Sequence, residues 1–152
     1  VTLLLSSPLL LLAFASWVDL RARVVPDAIP VALLAWAVLV RAAGWDAVSW
    51  GQAGLGLVVT FAVTALLFRC GVMGGGDGKL LSALGALVGW PGIGVVALGT
   101  AVAGGLMAAI VLLRERVVGR ERPDELPYVP AMMLGLAWAW WTDAWPLAEG
   151  AT

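Results

Sequence analysis

Six apolar stretches run along the chain, separated by short polar, glycine-bearing or proline-bearing connections. The first, residues 1–18, ends in Trp17-Val18-Asp19 and is followed by Arg21 and Arg23. No basic residue precedes it and no small-residue cleavage site closes it, so it is expected to be a retained span rather than a secretory leader. Pro26 and Pro30 bracket Asp27, which is placed to cap the second stretch, residues 28–43. Residues 44–52 form a short polar connection with Trp45 and Trp50 near its ends, as at an interfacial aromatic belt. The third stretch covers residues 53–68, and a glycine-rich loop is expected over 69–78. The fourth, residues 79–90, is short and turns at Pro91-Gly92. A fifth covers residues 93–113, a charged segment covers 114–127, and the last stretch runs from 128 to 145.

A helical span needs ~20 apolar residues, so the length accommodates about six spans with little left over. Composition agrees: 62% of residues are apolar, 12% are charged, and the mean hydropathy is +0.98. A soluble domain is nearer half apolar and a quarter charged. The pattern therefore predicts an all-α polytopic membrane protein of six transmembrane helices, forming one membrane-embedded domain over residues 1–152. Under this topology the loops 19–27, 69–79 and 114–127 share one side. They carry Arg21, Arg23, Arg69, Lys79, Arg114, Arg116, Arg120 and Arg122, eight of the nine basic residues, and leave Arg41 near the opposite face. By the positive-inside rule those loops are expected in the cytoplasm and both termini outside it. The net charge of −1 argues against nucleic acid as a partner, which usually requires a basic excess.

Missing residue types narrow the chemistry. The chain has no His and no Asn, which removes His-based zinc sites and any Ser or Cys nucleophile activated by His. Cys70 is alone, so it offers neither an intrachain disulfide nor a four-thiolate metal module, and reads as a small filler near a helix end. No metal site and no cofactor are expected. The glycine run is not a phosphate-binding loop, because Met73 stands where its first Gly belongs and Leu80 where its Ser or Thr belongs. Any catalytic acid or base must be Asp, Glu, Lys, Arg or Tyr.

Ionisable groups are costly in or near hydrocarbon and invite a functional explanation. Asp19 ends an inward-running span and Asp77 precedes an outward-running one, so both are expected at the same face. Two carboxylates that share one proton can hydrolyse a peptide bond: the ionised partner takes a proton from the attacking water and the protonated one donates to the carbonyl. Gly74, Gly75 and Gly76 would let a substrate backbone approach, although a plain turn with Asp77 capping the next helix explains the same residues. Lys79 is either an interfacial lysine or a modulator of the pair's charge. Asp27 is expected to cap its helix, and Asp124 and Glu125 to be solvated. A small transporter or channel using acids for proton or cation coupling is the alternative of a different class, and a structural assembly subunit ranks below it.

Three segments carry a family resemblance. Asp19-Leu20-Arg21-Ala22-Arg23-Val24-Val25-Pro26-Asp27 resembles the Asp…Ile-Pro-Asn stretch of type IV prepilin peptidases, with Val25 and Asp27 in place of Ile and Asn. Gly74-Gly75-Gly76-Asp77-Gly78-Lys79 resembles their Gly-x-Gly-Asp-x-Lys motif, and Pro127-Tyr128-Val129-Pro130-Ala131 their Pro-Tyr-x-Pro-Ala element. The resemblance implies Asp19 and Asp77 as catalytic residues, with Gly74, Gly76, Lys79, Pro26, Asp27, Pro127, Tyr128 and Pro130 supporting them. It implies an aspartic endopeptidase of the bacterial or archaeal cytoplasmic membrane. That enzyme would remove the leader of prepilin or pseudopilin precursors at the cytoplasmic face, beside the pilus secretion machinery. Larger members add a cytoplasmic methyltransferase domain with paired cysteines. The short 19–27 loop and single Cys70 instead resemble the peptidase-only branch of tight-adherence (Flp-type) pilus systems.

Overall fold

The computed structural model describes residues 7–22, 26–118 and 128–142. Among them it contains six helices: α1 (Ser7–Ala22), α2 (Ala28–Ala42), α3 (Trp50–Arg69), α4 (Gly75–Val88), α5 (Gly92–Val118) and α6 (Val129–Trp141). The described fold is all-helical, as expected. Two helices are long and apolar enough to cross a membrane, Trp50–Arg69 and Gly92–Arg114, while Ala28–Ala42 and Val129–Trp141 are apolar but shorter.

The helix α4 is the axis of the assembly. From Leu80 to Gly89 every residue is buried, with α3 and α2 packed along it and α5 touching it more lightly. A second hairpin, α5 with α6, joins through α1, which lies against α6 and α2. Leu12, Leu33, Leu80, Leu84, Leu87, Met132 and Leu136 fill the centre. Around them the outward faces stay apolar, with Leu10, Phe14, Val58, Phe61, Leu98, Val102 and Leu106 all exposed. A soluble monomer seldom shows apolar surface on that scale.

Small residues let the hairpins close. Gly56 on α3 faces Gly85 on α4 so tightly that a Cβ on Gly85 would stand 2.5 Å from the Gly56 carbonyl oxygen. In α5 and α6, Gly99 and Gly135 do the same, with a Gly99 Cβ falling 2.9 Å from the Gly135 Cα. Apolar helices surrounded by apolar solvent gain little from burial alone, and close backbone approach is what holds them together. Hydroxyls line the α3 side of the first hairpin: Thr60 donates back to the Gly56 carbonyl at 2.6 Å, and Thr64 Oγ1 to the Thr60 carbonyl at 2.9 Å, while Thr64 stands 3.3 Å from Ser82 across in α4.

The helix boundaries depart from the sequence pattern where glycine and tryptophan are concerned. The expected loop over 69–78 is helical from Gly75 onward, so Asp77 stands in the first turn of α4 rather than in a loop. Gly75 packs on the Phe68 ring and Gly78 on the Thr64 side chain, at 3.4 and 3.3 Å from where a Cβ would be. That packing outweighs the low helix propensity of glycine. The α3 helix starts at Trp50 rather than residue 53, because Ser49 and Gln52 form a reciprocal capping box. Asp19 lies within α1, which runs on to Ala22 rather than stopping at residue 18. Residues 123–127, with Asp124, Glu125 and Pro127, lie outside the described residues.

Arg41, expected near the face opposite the basic loops, is buried. It donates to the Ala37 carbonyl at 2.8 Å and, across to α4, to the Leu87 carbonyl at 2.7 Å. Its guanidinium stands 3.6 Å from the Asp46 carboxylate, both side chains almost wholly enclosed. Burial pushes the Asp46 carboxyl above its ordinary value, and the Arg41 charge opposes the rise.

Candidate active site

The end of the bundle opposite Arg41 gathers the C-terminal part of α1, the N-termini of α2, α4 and α6, and the end of α3. Asp19 is buried there, at 6% exposure. Its Oδ2 accepts the backbone N–H of Val129, the first residue of α6, at 3.3 Å. A helix N-terminus leaves its first amides without partners inside the helix, and its positive dipole end favours a carboxylate.

Asp77 is half-buried in the first turn of α4, behind the N-cap Gly74. A Cβ on Gly74 would stand 3.3 Å from Asp77 Oδ2, so glycine leaves that side of the carboxylate open. Burial pushes the phenol of Tyr128, the residue before Val129, above its ordinary value, and the Asp77 charge adds to the rise.

Tyr128 itself is seated on α5. A Cβ at Gly104 would be 2.8 Å from the Tyr128 ring, so Gly104 forms the slot in which the ring lies. Below Asp77 the hydroxyl seam continues: Ser82 donates to the Gly78 carbonyl at 2.6 Å, and Thr64 and Ser82 stand 3.3 Å apart. Thr64 and Ser82 were not singled out in the sequence. Hydroxyls at positions 60 and 64, one helical turn apart in an apolar stretch, were the available signal.

Asp27 does not cap α2. It occupies the N-cap position, but with helical backbone angles and no side-chain bond to the helix amides. Its carboxylate instead takes the Lys79 ammonium at 2.7 Å, in an exposed ion pair. The pair joins α2 to α4 two residues beyond Asp77. Pro26 is exposed at the head of α2, Pro130 lies in the first turn of α6, and Gly76 is helical. Cys70 is an exposed free thiol at the C-cap of α3, not an enclosed filler. Among the described residues no group of three or more His, Cys, Asp or Glu could hold a metal ion.

Residues 7–109, about two thirds of the chain, match the family model of the type IV leader peptidase family, and the chain belongs to that family. Its general function is accordingly that of a prepilin-type leader peptidase. Neither the curated proteins nor the solved structures gave a match.

Proposed function

We propose that the protein is an aspartic endopeptidase that removes the leader of prepilin-like precursors at the cytoplasmic face of a membrane, with Asp19 and Asp77 as its catalytic pair. The observation that carries this reading is the buried Asp19 carboxylate, bound by the Val129 N–H at the end of the bundle where Asp77 stands in the first turn of α4. The six-span topology is part of the same proposal. It is supported by the apolar outer faces and by the exposed Arg21, Arg69 and Lys79 at the end that holds the aspartates.

In the proposed reaction the ionised aspartate accepts a proton as water oxygen bonds to the scissile carbonyl carbon. The protonated aspartate gives its proton to the carbonyl oxygen, forming a neutral tetrahedral diol. Collapse breaks the C–N bond; one carboxyl protonates the leaving nitrogen and the other recovers a proton from the diol. The products are the leader's new carboxyl terminus and the mature chain's new amine. The two groups titrate as a unit, with apparent values belonging to the pair.

Co-expression of a prepilin-like precursor with wild type, D19N and D77N, followed by mass measurement of the product, tests the reading. Processing is expected with wild type alone, with all three proteins present in the membrane. Processing by either variant would remove that aspartate from the mechanism.

A further inference from the structure

Ser16 shares the inward face of α1 with Asp19. Leu12, Ala15, Ser16 and Asp19 are buried, while Leu10, Phe14, Trp17 and Leu20 are exposed. Spacings of three and four residues turn the buried set toward α6 and α2, the helices on which α1 packs. Ser16 stands three residues before Asp19 in the same helix, so their Cβ atoms lie about 5–6 Å apart. One water bridges such a separation with two bonds of ~2.8 Å.

Ser16 is 6% exposed, and its hydroxyl has no hydrogen-bond partner among the described residues. The buried hydroxyls of α3 and α4 behave otherwise, since Thr60, Thr64 and Ser82 each donate to a helix carbonyl. Thr100 on α5 also lacks a partner, but it fills the α5–α6 seam, where its Oγ1 takes the space a Cβ on Gly135 would need. Serine has no methyl group with which to fill space. It differs from alanine by the hydroxyl alone, has the lower helix propensity, and loses free energy when that hydroxyl is buried unpaired. The use of the Ser16 hydroxyl therefore lies outside folding.

We propose that Ser16 is a catalytic residue of the peptidase site, its Oγ holding the attacking water beside the Asp19 carboxylate. This inference rests on the two-aspartate reading and adds a third side chain to it. A carboxylate offers about four acceptor sites; the Val129 amide takes one, and the reaction requires another for the water. The held water donates one hydrogen to the ionised carboxylate of the pair and the second to Ser16 Oγ, which turns a lone pair toward the scissile carbonyl carbon. Only the first hydrogen transfers as the O–C bond forms, and the serine hydroxyl is unchanged. Holding the nucleophile removes its orientational freedom before the barrier is reached.

The test uses the purified full-length chain in micelles with a prepilin-like precursor as substrate. In S16A the expected result is a fall in kcat on the order of tenfold, as for loss of one hydrogen bond in the transition state. KM should stay within about twofold, because the loss acts on the chemical step. The unfolding midpoint in denaturant should be no lower than that of wild type, since the variant discards only an unpaired buried hydroxyl. A wild-type kcat in S16A overturns the proposal. So does a rise in KM alone, which would put the hydroxyl on the substrate, and so does a kcat loss with a lowered unfolding midpoint, which would make Ser16 structural. Cleavage by D19N or D77N would instead overturn the two-aspartate reading. A wild-type kcat in S16A beside inactive D19N and D77N is the failure of this proposal alone.

Discussion

Replacing Arg41 by Met should destabilise the bundle by more than any single change at the exposed site end. Arg41 is buried and gives two hydrogen bonds to helix carbonyls, at 2.8 Å to Ala37 and 2.7 Å to Leu87. The second ties the C-terminal end of α4 to α2. Methionine fills much of the volume but leaves both carbonyls without that donor. It also strands Asp46, whose carboxylate oxygens have no hydrogen-bond donor among the described residues. Removing one member of a buried ion pair costs about 3–5 kcal/mol, most of it from the charge left behind.

The pH dependence supplies the sign. Burial raises the Asp46 carboxyl above its unfolded value and Arg41 opposes the rise, so in R41M it stands higher still. A carboxyl raised on folding binds its proton more tightly in the folded state, so stability increases as pH falls through the folded value toward the unfolded one. The R41M deficit should be largest near neutral pH and shrink on acidification. The double variant R41M/D46N should be more stable than R41M alone. Reversible unfolding in mixed micelles, followed by the fluorescence of the nine tryptophans, measures all three proteins. An R41M deficit under about 1 kcal/mol at neutral pH would refute the buried-pair argument. A deficit that does not shrink with acid would refute the assignment to Asp46.

Two further changes probe the ion pair and the hairpin. D27N should cost less than about 1 kcal/mol, because the pair with Lys79 is exposed, and its effect should vanish in high salt; denaturation with and without added salt decides it. G85A should destabilise by about 1–3 kcal/mol, since its Cβ would press on the Gly56 carbonyl, whereas G54A, which meets nothing within 4 Å, should lie within about 1 kcal/mol of wild type in the same assay.

Much of this architecture is legible in the pattern of apolar stretches. Each described helix falls on one of them, and the expectation of one end for Asp19 and Asp77 follows from alternation of direction. Three features were hidden for separate physical reasons. The Gly74–Gly76 run reads locally as a loop, but Gly75 packs on the Phe68 ring, Gly78 packs on Thr64, and the helix forms from Gly75. Asp27 sits where a cap is expected, but its carboxylate pairs with Lys79, fifty-two positions away. Arg41 counts as one charge in a topology argument, while its role depends on Leu87 and Asp46 standing beside it. The positions of the candidate catalytic residues came from local motifs. The bond of Asp19 to the Val129 amide, 110 positions along the chain, needed the third dimension.

The central claim is that Asp19 and Asp77 work as one unit, and comparing D19N, D77N and D19N/D77N in purified form tests it most directly. Residues that act together lose their whole effect when either is removed. The account predicts that all three variants cleave a prepilin-like precursor at the same background rate, with native-like folding. Substantial cleavage by either single variant, or a double variant whose loss is the product of two partial losses, would contradict it.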